Sequence, residues 1–436
     1  MLKGLVCFSL YGFDQRYGVG ILTNARELPE YYPGWRMRVY LQEGHYLKRP
    51  LQEFPHVEVI EKPRGEGITG MFWRFEGAGE ACPVIFRDAD SRFSRREVAA
   101  VEEWLQGPDR FHAMNDHPHH AGTPVMGGMW GVKGPFPELL PQMEEYLKAH
   151  PTPTYGDDQA FLARAIPTNE VLRHSSVGGG KEFPTVLVDR TRVGDYAEMT
   201  IHEAVTKAYV ICPTINQRRW EDLGHNLKGS RFFSGVELER VQWPGPGEVW
   251  EPTHPNMEWS IPHFWRATLS HLCALNKAWV SGAPFVMILE DDIQVEPWCD
   301  EELEKAWRAL QHEEGWLGLQ LSSEVHFPRP VVRDGLRRAP GLCSSYGYIW
   351  SRKGIEALLG QMWKSWTNHV IDAAAAHLQA ATDKVFTPDR WVLKTPTPRA
   401  KVDEPAPVIP QEEVDKWLKQ HAHIPDGQPR GILISG

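Results

Sequence analysis

The residues with the clearest capacity for chemistry are acidic and stand in three places. Asp88-Ala89-Asp90 carries two carboxylates two positions apart, flanked by Arg87 and Arg92; Asp157-Asp158 follows Tyr155-Gly156; and Glu290-Asp291-Asp292 closes an apolar run. Two carboxylates at this D-x-D spacing on an extended turn can face one hard cation. Its other positions are then left to water and diphosphate oxygens, the coordination that Mg²⁺ and Mn²⁺ take. The same spacing also serves as a solvated cap for a following helix. The flanking arginines favour the first reading, because charges of both signs at a strand end suit a cation and a phosphate together. Three adjacent carboxylates at 290–292 repel one another beside a buried strand unless a cation or basic groups offset them, so that run is more than a polar strand end. Arg74, in Phe72-Trp73-Arg74, either neutralises a diphosphate or pairs with a carboxylate at the core edge. His117, His119 and His120 lack the spacing of a closed tetrahedral zinc site and read as a loop, lining a cleft or simply exposed.

These clusters need elements to hold them. Residues 4–10, 37–41, 57–61 and 83–86 read as strands, the fourth ending on the polar cluster. Ser94-Arg95-Arg96-Glu97 has the form of a capping box opening a helix over 95–106, with Val98, Val101 and Leu105 on one stripe. Residues 87–92 therefore lie between a strand and a helix. The layout recurs downstream: 209–212 and 285–289 read as strands, the latter running into Glu290-Asp291-Asp292 and a helix over 300–310. No residue-level repeat accompanies this likeness. Each half sets an acidic cluster at the carboxyl end of a central strand, where open α/β sheets bind ligands. Trp104 and Trp307 fall in helical patterns and are expected in the core.

With 436 residues the chain is too long for one ordinary core, so two domains are expected. The first α/β stretch covers 1–195 and the second 205–397, separated near the Gly178-Gly179-Gly180 run and the polar segment 189–195; residues 398–436 form a Pro-rich arm with a short amphipathic helix over 410–421. A hydrophobic share of 42% with 24% charged residues is globular, and the net charge of −10 disfavours nonspecific nucleic-acid binding. No segment approaches a membrane span, and the first residues read as a strand rather than a signal peptide, so a soluble cytoplasmic protein is expected. The six cysteines show no zinc or CxxC spacing and read as reduced thiols.

Several strings in the first stretch fall in a suggestive order: GMFWRFEGAGEACPVIFRDADSR at 70–92, Phe111-His112 through His120, Gly127-Gly128-Met129-Trp130-Gly131, and Asp157-Asp158-Gln159. Together they resemble the D-x-D glycosyltransferases of the GT-A fold. The resemblance implies that Asp88 and Asp90 carry a metal and, through it, the diphosphate of a nucleotide sugar, with Arg74 and Arg87 on the donor. It places Asp157 or Asp158 near the donor sugar and acceptor, where in an inverting enzyme a carboxylate takes the acceptor proton. His174 is placed like the histidine that completes the metal shell in some of these enzymes, or is a loop histidine.

In the second stretch, Ala208-Tyr209-Val210-Ile211-Cys212, Arg218-Arg219-Trp220-Glu221, Ser270-His271, VMILEDD at 286–292 and YGYIWSRKG at 346–354 resemble a different family. It is the one containing lipopolysaccharide β-galactosyltransferases and procollagen galactosyltransferases. That resemblance implies Asp291 and Asp292 as metal ligands, Ser270 and His271 on the donor side, and Asp372 as a later functional acid. The family's opening Asn-Leu-Asp run is replaced here by Cys212-Pro213-Thr214-Ile215-Asn216.

The two resemblances imply an α/β protein with two GT-A-type, Rossmann-like domains in tandem. The implied activity is a Mn²⁺- or Mg²⁺-dependent transfer of sugar from a nucleotide sugar, expected to be a UDP-sugar, to a glycan or other hydroxyl acceptor. Two fused transferases imply two sequential additions. Alternatives are one active domain beside a carbohydrate-binding or scaffold domain, and a metal-dependent nucleotidyltransferase or phosphoesterase using the same carboxylates.

Overall fold

The computed structural model describes residues 3–64, 68–186, 192–193, 198–212, 217–241, 263–322, 329–339, 346–365 and 371–394, without the side chains of 263–269, 362–365, 371–373 and 377. The arm at 398–436, with its expected helix over 410–421, lies outside the described residues. The chain divides into two compact units, Met1–Met199 and Thr200–Gly436.

The first unit runs β1 (Leu5–Leu10), α1 (Gln15–Tyr31), β2 (Arg36–Gln42), α2 (Lys48–Gln52), β3 (Val57–Lys62), a 3-10 segment (Thr69–Gly79), β4 (Pro83–Arg87), α3 (Arg95–Gln106), β5 (Phe111–Asn115), β6 (Met129–Lys133), α4 (Leu139–Ala149), α5 (Asp157–Ala165) and β7 (Val171–Ser175). Its seven strands form one sheet in the order β3-β2-β1-β4-β6-β5-β7. All are parallel except β6, which runs antiparallel to both of its neighbours.

Strand β1 is buried along its whole length, the signature of a central strand covered on both faces. Period-2 alternation sends its residues to two cores. Leu5 and Cys7 join Val84, Phe86, Phe72, Phe75, Trp130 and Phe161 on one face. Val6, Phe8 and Leu10 join Ile85, Ile21, Leu28, Val101 and Trp104 on the other.

Helix α3 begins as expected, with Ser94 Oγ accepting from the Glu97 amide at 3.1 Å. The reciprocal arm of the capping box does not form. The Glu97 carboxylate turns inward, where it accepts from Arg87 Nε at 2.6 Å and from the Tyr32 hydroxyl at 2.8 Å. Arg87 ends β4 with its side chain on the α3 face and 2% exposed, so its guanidinium requires a buried carboxylate.

The second unit runs α6 (Ile201–Ala204), β8 (Lys207–Ile211), α7 (Gln217–Leu227), α8 (Arg231–Ser234), β9 (Glu237–Val241), α9 (His263–Ser281), β10 (Phe285–Glu290), β11 (Gln294–Val295), α10 (Cys299–Leu310), β12 (Gly318–Gln320), β13 (Val331–Arg333), β14 (Leu336–Arg338), β15 (Gly347–Ser351), α11 (Arg352–Ser365), α12 (Ile371–Thr382), β16 (Val385–Pro388) and β17 (Leu393–Lys394). Its main sheet has the order β13-β14-β16-β12-β15-β10-β8-β9, and β11 pairs with β17 in a separate ribbon.

Here β8 pairs parallel with β9 and β10, β15 runs antiparallel between β10 and β12, and β12 pairs parallel with β16. Strands β9-β8-β10-β15-β12-β16 thus repeat β2-β1-β4-β6-β5-β7 in order, direction and chain sequence. The first unit adds β3 at one edge; the second adds the β13-β14 hairpin at the other. Trp104 and Trp307 are both in the core. Among the described residues no helix is long and apolar enough to cross a membrane.

Candidate active site

In the first unit the chain leaves β1 for β2 and β3 on one side and returns to β4 on the other, so a crevice is set at the carboxyl ends of β1 and β4. Four segments meet there: the turn after β4, the 3-10 segment and the first turn of α5 bring side chains, and the glycines before β6 bring bare backbone. Strand β6 begins at this edge because it runs antiparallel.

Arg74 is the centre of the cluster. Its amide donates to Ser9 Oγ at 2.9 Å, pinning the 3-10 segment to β1. Its guanidinium, from a residue only 4% exposed, donates through Nη1 to Asp88 Oδ1 and to the Arg87 carbonyl, and through Nη2 to Asp158 Oδ2 at 3.0 Å. Arg74 thereby joins two acids from distant parts of the sequence. Burial pulls the Arg74 pKa down, but the charges of Asp88 and Asp158 more than offset this and leave it raised. The Asp158 carboxyl is pushed up by burial and by the charge of Asp88, against the lowering influence of Arg74. Asp90 is likewise raised by burial and then by Asp88, so the two D-x-D carboxylates sit close enough to repel.

Gly127 and Gly128 explain how the acids fit. A Cβ on Gly127 would lie 1.9 Å from Asp158 Oδ2, and one on Gly128 would lie 1.8 Å from Asp88 Oδ2. Bare backbone is required where the chain passes over both carboxylates. The pair belongs to the 127–131 string of the sequence, but its steric role is visible only once β6 is placed beside β4.

The remaining expectations divide. Asp157 is separated from its neighbour: its Oδ2 accepts from the Thr154 amide at 2.6 Å and the Thr154 hydroxyl at 3.2 Å, closing the turn before α5. Asp158 alone faces Arg74. Arg87 is corrected from a donor-binding arginine to a structural one, because its guanidinium is committed to Glu97 on the far side of the sheet from Asp88. His174 is not brought to the D-x-D pair. It lies fully buried on β7, with Nδ1 2.9 Å from Nε2 of His112 on β5 and Nε2 3.7 Å from Glu103. Burial first, and for His112 the neighbouring His174 next, lowers the pKa of both rings. The buried pair His112 and His174 had no sequence signal, since it arises from the β5-β7 register. His117, His119 and His120 form a short turn in which His119 is exposed and the other two are half-buried.

The second unit presents its acids at the equivalent place. Arg87 pairs with Met129, the first residue of β6, and Leu289 pairs with Gly347, the first residue of β15. By this register Glu290 occupies the position of Asp88, and Asp292 that of Asp90. Asp291 stands where the first unit has Ala89, and its Oδ1 accepts from Arg219 Nη1 at 3.2 Å. Ser270 and His271 are both wholly buried on α9, so neither side chain is presented at the surface of the site. Asp372 lies at the start of α12, and its side chain is outside those described.

The Asp88 and Asp90 pair fits a hard divalent cation. Asp88 and Asp90 supply two mutually repelling carboxylates, and among the described residues no group of three or more His, Cys, Asp or Glu forms a closed metal cage. A cation held here would keep water and substrate oxygens in its shell, as Mg²⁺ and Mn²⁺ do.

The sequence matches no protein-family profile, and no curated protein matches it. Among solved structures, the mannosyltransferase PcManGT from Pyrobaculum calidifontis, in complex with GDP-Man and Mn²⁺, is similar at 16% identity over 40% of this chain and 55% of that one, with a TM-score of 0.29. The glycosyltransferase GlyE of Streptococcus pneumoniae TIGR4 is similar at 12% identity over 39% and 45%, with a TM-score of 0.29. The galactosyltransferase LgtC, in complex with donor and acceptor sugar analogs, is similar at 11% identity over 61% and 99%, with a TM-score of 0.28. This chain spans about half the length of the first two. The α/β class itself is read from the strand order.

Proposed function

We propose that the chain is a metal-dependent glycosyltransferase whose domains at 1–195 and 205–397 are both of GT-A type, moving sugar from a nucleotide sugar to a hydroxyl of a glycan acceptor. The observation that carries this reading is the meeting of Asp88, Arg74 and Asp158 at the crevice between β1 and β4. An acidic pair for a cation, an arginine, and a further buried acid are the groups that transfer from a diphosphate leaving group needs.

Asp88 and Asp90 are the residues that would hold Mn²⁺ or Mg²⁺. When bound, the ion would offset charge on the leaving diphosphate. Arg74 fixes the separation of Asp88 and Asp158 and adds positive charge beside the leaving group. In the transfer the acceptor oxygen bonds to the anomeric carbon. The bond from that carbon to the diphosphate oxygen breaks, and its electron pair leaves on the nucleoside diphosphate. In an inverting reaction the acceptor proton passes to a carboxylate, for which Asp158 is the candidate, its raised pKa making it a better base than an ordinary aspartate. A UDP-sugar is the donor proposed. We assign the second unit the same role, with its own acids at 290–292 and Asp372, as a second sequential transfer; the repeated strand order supports this reading.

The test is turnover and binding of UDP-, GDP- and CMP-sugars with Mn²⁺, by the purified protein, by Asp88→Ala/Asp90→Ala and by Asp291→Ala/Asp292→Ala. One donor should be consumed in a metal-dependent manner, with the first double variant slowed about a hundredfold or more. Partial loss in both variants supports two transferases. Folded protein that binds no donor in the presence of metal would overturn the reading.

A further inference from the structure

His271 reaches no solvent, yet it is not apolar filling. Its Nδ1 lies 2.6 Å from the Tyr348 hydroxyl and its Nε2 lies 3.2 Å from Glu290 Oε1. The imidazole stacks on the Tyr348 ring with centroids 5.7 Å apart and planes at 26°. Tyr348 and Glu290 are themselves 4% and 7% exposed. An ionised carboxylate can only accept, so Nε2–H donates to Glu290, while Nδ1 on the other side of the ring hydrogen-bonds the Tyr348 hydroxyl. Three elements, β15, α9 and β10, thus supply one buried hydrogen-bonded chain that reaches the Glu290 carboxylate. Burying three polar groups in a hydrophobic core is costly unless they satisfy one another, and the chain achieves that while fixing the orientation of Glu290.

Glu290 is the register counterpart of Asp88, the acid that Arg74 holds in the first unit. Where Arg74 holds Asp88 by an ion pair from the crevice side, Glu290 is held from within the core by a hydrogen bond to the His271 ring. We propose that Tyr348 and His271 form a positioning relay that presents Glu290, together with Asp292, to a divalent cation in the second unit. The relay orients a ligand in the manner of outer hydrogen-bond partners at metal sites. His271 is then a positioning residue, not a donor-binding one. The proposal rests on the reading of residues 290–292 as a cation site, and its test separates the two.

The measurement is Mn²⁺ binding by the full chain, followed through the paramagnetic resonance signal of free Mn²⁺, with Asp88→Asn/Asp90→Asn as background so that the second unit is read alone. Tyr348→Phe keeps the ring and removes the hydroxyl; it should weaken Mn²⁺ about tenfold while the melting temperature stays close to that of the background. His271→Ala should weaken it at least as much, and His271→Gln, which keeps an N–H near Glu290, should recover part of the loss. If Glu290→Gln loses Mn²⁺ while Tyr348→Phe and His271→Ala bind within about twofold of the background, the relay is overturned and the cation site stands. If the background binds no Mn²⁺, or Glu290→Gln and Asp292→Asn change nothing, the relay falls together with the reading beneath it. Should His271→Ala fail to fold, Tyr348→Phe decides alone, because a merely structural hydroxyl would shift melting without shifting Mn²⁺ affinity.

Discussion

At the scale of single residues, several side chains take roles set by burial rather than by type. Arg87 adjoins the Asp88-Ala89-Asp90 cluster in sequence yet crosses to Glu97 and Tyr32, while Arg74, fourteen residues before Asp88, is the arginine that faces the crevice. The paired histidines His112 and His174 give the sharpest consequence of burial. They face Glu103 and Lys181 on one side, and the charges of Arg87 and Lys133 act on His112 from the other. Both folded-state pKa values lie below the ordinary histidine value of 6.5. Above that value both rings are neutral in the folded and unfolded chain, and the pair makes no pH-dependent contribution. As pH falls below it, the unfolded chain takes up protons that the buried rings refuse, so stability drops. The slope reaches at most about 1.4 kcal/mol per pH unit for each ring. Urea unfolding between pH 7.5 and 5 should show this decline, and His112→Gln should flatten it. Equal slopes in the two proteins would rule the pair out as its source.

At the scale of elements, the site depends on how closely β6 and its preceding turn approach β4. Gly127→Ala and Gly128→Ala both drive a methyl into a carboxylate, with different expected results. Asp88 has a half-exposed side chain and can swing away, so Gly128→Ala should lose stability by under about 1 kcal/mol while weakening Mn²⁺ binding in the first unit. Asp158 is buried and tied to Arg74, so Gly127→Ala should cost about 1–3 kcal/mol by overpacking. Chemical denaturation of the two variants side by side checks the contrast; equal losses would mean that the turn moves as a body. Element positions themselves were largely legible. The strands expected at 4–10, 37–41, 57–61 and 83–86 are found as β1 to β4 within a residue or two at their ends. β1 and β4 were readable as buried apolar runs, and β3 by the alternation of Val57-Glu58-Val59, the pattern of a half-buried strand. The 3-10 segment carrying Arg74 was not, since an eleven-residue run of that geometry has no distinctive periodicity.

At the scale of the whole molecule, each unit closes its own hydrophobic clusters. Among the described residues, those around Trp104 and Phe72 draw only on residues before 199, and the one around Ile288 only on residues after 200. Residues 1–199 expressed alone should therefore fold and unfold in one cooperative transition, with a stability of about 5–15 kcal/mol, the range of ordinary domains. Circular dichroism during a urea titration checks this; a non-cooperative melt would show that the first unit needs the rest of the chain.

The sequence by itself determined the α/β class, the acidic clusters at strand ends and the core tryptophans. These follow from local composition and periodicity, which a short window of residues contains. Only the tertiary structure decided which acid meets which base. Asp88 reaches Asp158 through Arg74, Arg87 turns to Glu97, and His271 bridges Tyr348 and Glu290. The register that makes Glu290 the counterpart of Asp88 is likewise a property of paired strands. Side chains from distant segments become partners only when sheet order and burial remove the alternative of water, and no spacing along a single chain encodes that.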